Sequence, residues 1–330
     1  MLKQDLRIVF MGTPDYAKGS LEALVDNAFN IVGVFCQPDK PKGRGMKLMA
    51  PPVKEYALSK NIPVYQPVKL RNNEEVKEIL NTLNPDLIVV VAYGKILPKY
   101  VLDYPRFGCI NVHGSLLPNY RGAAPIQWSV INGDKITGVT TMFMDEGMDT
   151  GNMITKAEVE IDALDTYGTL HDKLMILGAE TLVKDLERLV ANDGKLESIV
   201  QPEECTMAPM LDKDNTKLDF TKNVDTLVNL VRGTNPFPSA WCLIDEEKTY
   251  KIYLAERVEL EEDYSAAKCG EVVYLNDKKN ILAVKCNDGY INLKGIKPAG
   301  SKLMGCGDYI RGGKIQTGEL FIWYLKKQLK

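Results

Sequence analysis

DLIVVVAYG (residues 86–94) and GCINVHG (residues 108–114) decide how this chain folds. Each is an almost unbroken apolar run that stops at a glycine. Strands read this way when helices cover both faces of a parallel sheet, because neither face then needs polar residues. LRIVFMG (6–12), NIVGVFCQ (30–37) and GVTTMFM (138–144) have the same texture. The stretches between them, SLEALVDN, PPVKEYALSK, NNEEVKEILNTL and APIQWSVING, predict helices. The alternation gives an α/β class with a Rossmann-like, mostly parallel sheet. Such sheets take ligands just beyond the carboxyl ends of their strands. His113 sits at one such end.

TYGTLHDKLMILGAETLVKDLERLV (166–190) predicts a long amphipathic helix, with Leu170, Leu174, Leu177, Thr181, Leu182, Leu186 and Leu189 near one face. The texture then changes. Residues 197–217 are polar, carry Pro202 and Pro209, and read as a linker. A helix over 224–233 precedes short strand-like runs, YKIYLAERVEL, GEVVYL, NILAVKC and YINLKGI, with Asp288-Gly289 expected as a hairpin turn. Small and strand-rich, this region predicts an OB-like β-barrel. The 330 residues exceed what one small core needs. The expected division is a catalytic domain over 1–196, a linker over 197–217 and a second domain over 218–330.

A formal net charge of −3 argues against a protein that coats nucleic acid without selectivity. The charge is uneven, however. From Lys268 to Lys330 there are 12 Lys and Arg against 5 Asp and Glu, a surplus of 7, which leaves about −10 for the rest. A basic tail on an acidic body suits a polyanionic partner for one part of the chain. The seven cysteines are scattered and never in CxxC spacing, which predicts reduced thiols, not a disulfide frame or a zinc site. The chain enters its first strand directly, with no targeting segment and no apolar run long enough to span a bilayer, so the expected location is the cytoplasm.

GTPDYAKGS (12–20) follows the first strand, where a dinucleotide fold would carry GxGxxG. Pro14 and Asp15 break that spacing, which argues against a nicotinamide or flavin cofactor. Only two histidines are present. His113 shares a strand face with Asn111, and MDEGMDTG (144–151) brings Asp145, Glu146 and Asp149 after another strand, so the two strand ends are expected to meet at one edge. An imidazole, an amide and a carboxylate suffice for acyl transfer: a base, an oxyanion donor and a group that orients the base. His171, within the long helix, reads as structural. Metal hydrolysis and serine chemistry lack their motifs, HExxH or paired Cys and GxSxG. QPDKPKGRGMKLMAPPVK (37–54) places Lys40, Lys42, Arg44 and Lys47 in a long loop, read either as solvated surface or as a phosphate-binding device.

NVHGSLLPNYRGAAPIQW followed by DEGMDTG resembles the signature of the folate-dependent formyltransferases. With MGTPDYA, the 37–54 loop, VRGTNPFPSAW (231–241) and IKPAGSKLMGCGDYIRGG (296–313), the likeness spans nearly the whole chain and narrows to the tRNA-acting branch. One departure is Tyr16, where that branch usually has Phe. The resemblance implies transfer of formyl from 10-formyltetrahydrofolate, a co-substrate, to the α-amino group of methionine on initiator tRNA. It implies Asn111, His113 and Asp149 as catalytic residues. Folate binding falls on Ser115, Leu116, Leu117 and Pro118, with Asp145, Glu146 and Gly147 adjoining. tRNA binding falls on Lys40, Lys42, Arg44 and Lys47, Arg44 foremost, and on the basic second domain. His113 would be the base, Asn111 the oxyanion donor, and Asp149 the group that sets the imidazole tautomer. No metal and no membrane are implied, and a monomer is expected. The rivals are a formyltransferase acting on an amino-sugar nucleotide, a non-catalytic RNA-binding module, and a hydrolase of formyl-folate.

Overall fold

The computed structural model describes residues 1–42, 47–244 and 248–322. The chain forms two compact units. One comprises Met1–Pro125, Ile136–Glu160 and His171–Ala208; the other comprises Ile126–Lys135, Ile161–Leu170 and Pro209–Lys330.

The first half of the chain runs β1 (Arg7–Gly12), α1 (Asp15–Asp26), β2 (Asn30–Phe35), β3 (Lys40–Lys42), β4 (Lys47–Met49), α2 (Pro52–Ser59), β5 (Val64–Tyr65), α3 (Glu74–Leu83), β6 (Leu87–Val91), α4 (Lys99–Leu102), β7 (Cys109–His113), α5 (Pro125–Ile131), β8 (Ile136–Phe143), β9 (Met153–Glu160) and α6 (Tyr167–Ala191). Seven strands make one sheet in the order β5-β2-β1-β6-β7-β8-β9. The first five are parallel; β8 then pairs antiparallel with β7, and β9 antiparallel with β8. Strand order reverses between β1 and β6, the place where sheets of this kind open a crevice. Local chemistry sets the element ends: Asn73 accepts the Val76 N–H at the start of α3, and Asn84 stops it in a left-handed turn at φ 42°.

The long helix buries Leu170, Leu174, Leu182, Leu186 and Leu189 completely. Gly178 faces β7 so closely that a Cβ there would stand 2.9 Å from Val112 Cγ1. Val112 therefore faces α6, and the alternation of the strand turns Asn111 and His113 to the other face. Asp185, 1% exposed, ties α6 to the sheet by accepting from Thr141 and Thr155 hydroxyls and from Arg188. β9 escapes a reading based on apolar runs. It is an edge strand whose exposed positions carry Lys156, Glu158 and Glu160.

Two expectations need correcting. The loop over 37–54 contains a hairpin, β3 with β4, in which Lys42 opposes Lys47. Residues 199–208, inside the expected linker, are strapped to the first unit. Ile199 and Met153 exchange backbone bonds at 2.8 Å, the Arg121 N–H reaches Thr206 O at 2.9 Å, and the Ala208 N–H reaches Arg121 O at 2.7 Å. Polar residues read as linker because the strap's partners lie far away in sequence.

The second unit carries α7 (Val224–Thr234), β10 (Ala240–Ile244), β11 (Lys248–Val258), β12 (Val272–Asn276), β13 (Ile281–Cys286), β14 (Gly289–Pro298), β15 (Met304–Gly305), α8 (Cys306–Arg311) and β16 (Phe321–Ile322). Its antiparallel sheet runs β12-β13-β14-β11-β10-β16. Glu271 pairs with Leu320, the Val272 N–H reaches Glu319 O, and the Phe321 N–H reaches Gly270 O, so the last strand meets the first and the sheet closes into an OB-like barrel. Leu227, Val231, Ile252, Val284, Ile291 and Phe321 fill it. Cys286 pairs with Gly289, so the hairpin turn is Asn287-Asp288, one residue earlier than expected. Asp288 is thereby free to accept the Val224 N–H at 2.7 Å and cap α7, whose first amides have no partner within the helix.

Cys36, Cys109, Cys242, Cys286 and Cys306 are buried free thiols, while Cys205 and Cys269 are partly exposed. Burial pushes Cys36 up to about 11, and Cys109 and Cys286 up to about 12. At pH 8 these thiols stay protonated and unreactive. Ellman's reagent should therefore titrate two thiols quickly in the native protein and all seven in denaturant. A third fast thiol would mean that one of the two cores opens readily.

Candidate active site

β7 delivers Asn111 and His113 to one face of the sheet, 9% and 5% exposed. β8 is antiparallel, so Thr140 lies opposite His113 and the far end of β8 lies beside Cys109. The two strand ends thus do not share an edge, as the parallel reading had expected. Instead the loop after β8, closed by the Phe143 N–H on Asn152 O at 2.9 Å, doubles back and brings Asp149 to His113. Asp149 Oδ2 stands 3.7 Å from His113 Nδ1 and accepts the Gly122 N–H at 2.9 Å.

The other ring nitrogen settles the tautomer. His113 Nε2 lies 2.9 Å from the carbonyl oxygen of Tyr120. A carbonyl only accepts, so Nε2 carries the proton and Nδ1 turns its lone pair towards Asp149. Tyr120, not Asp149, therefore sets the tautomer; Asp149 is placed to stabilise a proton arriving at Nδ1. The Asn111 carboxamide makes no hydrogen bond among the described residues, so its N–H groups are available to a ligand.

The turn after β7 is held on both sides. Ser115 Oγ donates to Asn119 O at 2.6 Å, and Thr140 Oγ1 accepts from Leu117 N while donating to Ser115 O. Ser115 and Leu117 are fully buried, Leu117 against Met142 and Met153. Leu116 covers Gly138, and a cis peptide precedes Pro118. Of these four expected folate contacts, Ser115 and Leu117 spend their side chains on the protein and offer only backbone. Asp145, Glu146 and Gly147 lie on an exposed loop. Asp145 accepts from Gly147 N and Thr150 Oγ1, while Glu146 reaches Lys99 Nζ at 3.4 Å.

The basic loop is pinned at its root. Lys54 Nζ contacts both Asp39 oxygens at 2.8–2.9 Å and Gln66 Oε1 at 2.8 Å, and Gln66 in turn donates to Gln37 O. Lysine 54's bond holds the Asp39 carboxyl below the usual carboxylate range, with Gln66 adding to it. Lys40 is exposed on β3, and Lys42 and Lys47 lie on the paired strands. Arg44 falls outside the described residues. His171 lies 2.9 Å from Asp172 and 3.7 Å from Asp15, away from the His113 cluster. No group of three or more His, Cys, Asp or Glu able to hold a metal occurs among the described residues.

Three features had no signal in the residue pattern. Tyr120 acts through its carbonyl, and nothing about tyrosine announces that. Gly122, at φ 124°, passes so near the strap that a Cβ would stand 2.7 Å from Ala208 O. Gln201, an isolated amide in a polar stretch, donates to the carbonyls of Asp149 and Gly151.

Residues 6–186 match the formyl transferase family, and residues 210–314 match the formyl transferase C-terminal domain. The methionyl-tRNA formyltransferase of Ruminiclostridium cellulolyticum is 49% identical over 316 residues, covering 95% of this chain and 99% of that one. The same enzyme of Clostridioides difficile is 47% identical over 313 residues, at 95% and 99% coverage. Among solved structures, the sugar 3N-formyl transferase WlaRD aligns with a TM-score of 0.63 at 19% identity, covering 90% of this chain and 99% of that one. HypX from Aquifex aeolicus aligns at 0.64 and 16% identity, covering 94% of this chain; the chain spans about half of HypX, 48%. At such identities the likeness is one of fold. Two family domains in order, with near-full-length relatives at almost half identity, place the residues above in context: the chain belongs to the formyl transferase family, in its methionyl-tRNA formyltransferase branch.

Proposed function

We propose that this protein moves the formyl group of 10-formyltetrahydrofolate to the α-amino group of methionine on initiator tRNA, producing the formylmethionyl-tRNA that starts translation. The observation that carries the reading is Asp149 standing 3.7 Å from His113 Nδ1, beside an Asn111 amide that has no hydrogen-bond partner among the described residues. In this reading the amine attacks the formyl carbon, and the carbonyl oxygen gathers negative charge. Asn111 donates to that oxyanion, a contact worth about 3 kcal/mol where its like has been removed. The amine's proton passes to His113 Nδ1, and Asp149 stabilises the imidazolium. As the bond from the formyl carbon to N10 breaks, His113 returns the proton to N10. Bonds and protons balance, and no covalent enzyme intermediate arises.

The remaining assignments follow from the same reading. The folate lies along Ser115–Pro118 and the Asp145–Gly147 loop, held in the former largely through backbone. Residues 1–196, with the 199–208 strap bound to them, carry the chemistry, and 218–330 bind tRNA together with Lys40, Lys42, Arg44 and Lys47. The enzyme works as a monomer in the cytoplasm and uses no metal. Unpaired buried thiols support a reducing surrounding, and no helix among the described residues is long and apolar enough to cross a membrane.

Incubation with 10-formyltetrahydrofolate and methionine-charged initiator tRNA should yield formylmethionyl-tRNA, with elongator tRNA a poor acceptor. His113→Ala should lower kcat about 100- to 10,000-fold, and Asn111→Ala about 100- to 1,000-fold. Folate turnover without formylated tRNA would move the acceptor to a sugar amine or to water. Filter binding should show tRNA affinity falling steeply with salt, and Lys40→Ala should reduce the log–log slope by about 1. A flat response would remove the basic loop from the tRNA contact.

A further inference from the structure

We propose that Gln201 is a positioning residue for this reaction: its carboxamide, oriented by the buried Arg121 guanidinium, holds the backbone at Asp149 and so sets where Asp149 stands against His113. The proposal rests on the role given to Asp149 in the proposed function. Gln201 is 8% exposed and Arg121 9%. Gln201 Nε2 donates to Asp149 O and to Gly151 O, each at 2.8 Å. Its Oε1 accepts from Arg121 Nε at 3.0 Å and Nη2 at 2.7 Å. Both hydrogens and both lone pairs of the amide are thereby used, and only one orientation of the group satisfies them.

The partner that fixes this orientation is unusual. A desolvated guanidinium is ordinarily matched by a carboxylate. Arg121 has none among the described residues; its Nε and Nη2 donate to the Gln201 oxygen, and Nη2 also, at 3.3 Å, to Pro202 O. The full charge therefore strengthens the bond to Gln201. At the other end Asp149 is left-handed at φ 55°, a backbone state that L-residues keep only when their surroundings hold them. Gln201 supplies that hold through the carbonyl, and the carboxylate is then free to take the Gly122 N–H and face His113. The linkage closes on itself: Arg121 orients Gln201, Gln201 holds Asp149, and Asp149 accepts from Gly122, the residue next to Arg121.

Gln201→Glu and Gln201→Leu separate positioning from packing. Glu keeps the size and still accepts from Arg121, but it has no hydrogens for the two carbonyls. Both variants should lose about tenfold or more in kcat, with KM for tRNA and for folate within about twofold of the parent. In an Asp149→Asn background the same substitutions should cost less than about twofold, because the group they position is already disabled. Urea unfolding checks that each variant is folded; if the Leu variant is not, the Glu variant decides. Parental kcat in Gln201→Glu, or losses that multiply in the Asp149→Asn background, would overturn the proposal. Should the parent make no formylmethionyl-tRNA, the functional reading falls and the clamp is still decided by NMR. The chain has two histidines, so His113 gives one of two sets of imidazole resonances. A His113 set displaced in both Gln201 variants, with His171 in place, supports the clamp, and an unmoved His113 set overturns it.

Discussion

The hydrogen bond between His113 Nε2 and the carbonyl of Tyr120 is the constraint from which the rest of the site follows. For that carbonyl to point back at β7, the chain must reverse sharply, and Tyr120 does so at φ 63°. Such a backbone state persists only where the surroundings over-determine it. The determination comes from the strap: the Tyr120 N–H donates to Thr206 Oγ1, and Arg121 exchanges backbone bonds with Thr206 and Ala208. Gly122 then lets the backbone pass the strap where any side chain would strike Ala208. A ring on a rigid strand is thus given its protonation pattern by a turn that a distant segment holds in shape.

The opposite face of β7 explains why this ring is desolvated at all. Val112 packs on α6 at a point where Gly178 removes the side chain that would keep helix and strand apart. Close packing there fixes the strand, and alternation then presents Asn111 and His113 as a buried polar pair. Burying polar atoms costs about 1–3 kcal/mol for each group left without a partner. His113 is satisfied by Tyr120. Asn111 has no hydrogen-bond partner among the described residues and keeps a little exposure, so its amide stays open to solvent or to a ligand on a strand that is itself held rigid.

Much of this was legible in the residues. β1, β2, β6, β7 and β8 announce themselves as apolar runs because helices or neighbouring strands cover them, and the α6 stripe is set by its leucines. Asn111, His113 and Asp149 stand out because scarce polar groups interrupt apolar strands or sit in a glycine-rich turn. What was hidden depends on pairings distant in sequence. β9 is an edge strand with charges on its open side, and β5 and β16 are two residues each. The direction of β8 relative to β7 does not follow from an apolar run, and so neither does the path by which Asp149 returns to His113. Gln201 finds its partners 80 and 52 residues away. The tautomer of His113 is set by a main-chain atom, which no side-chain pattern encodes.

The closure of the barrel bears on how the protein is made. Its last staves are β16 and the bridge from Leu320 to Glu271, with Gly270 allowing the two backbones to meet. Everything that the first unit needs, the strap included, has been synthesised by Ala208. The second unit waits for more than a hundred further residues, although two of its pieces, 126–135 and 161–170, emerge long before. Domains fold as units while they are synthesised, so the fold around His113 can form when the second unit still lacks the strand that closes it.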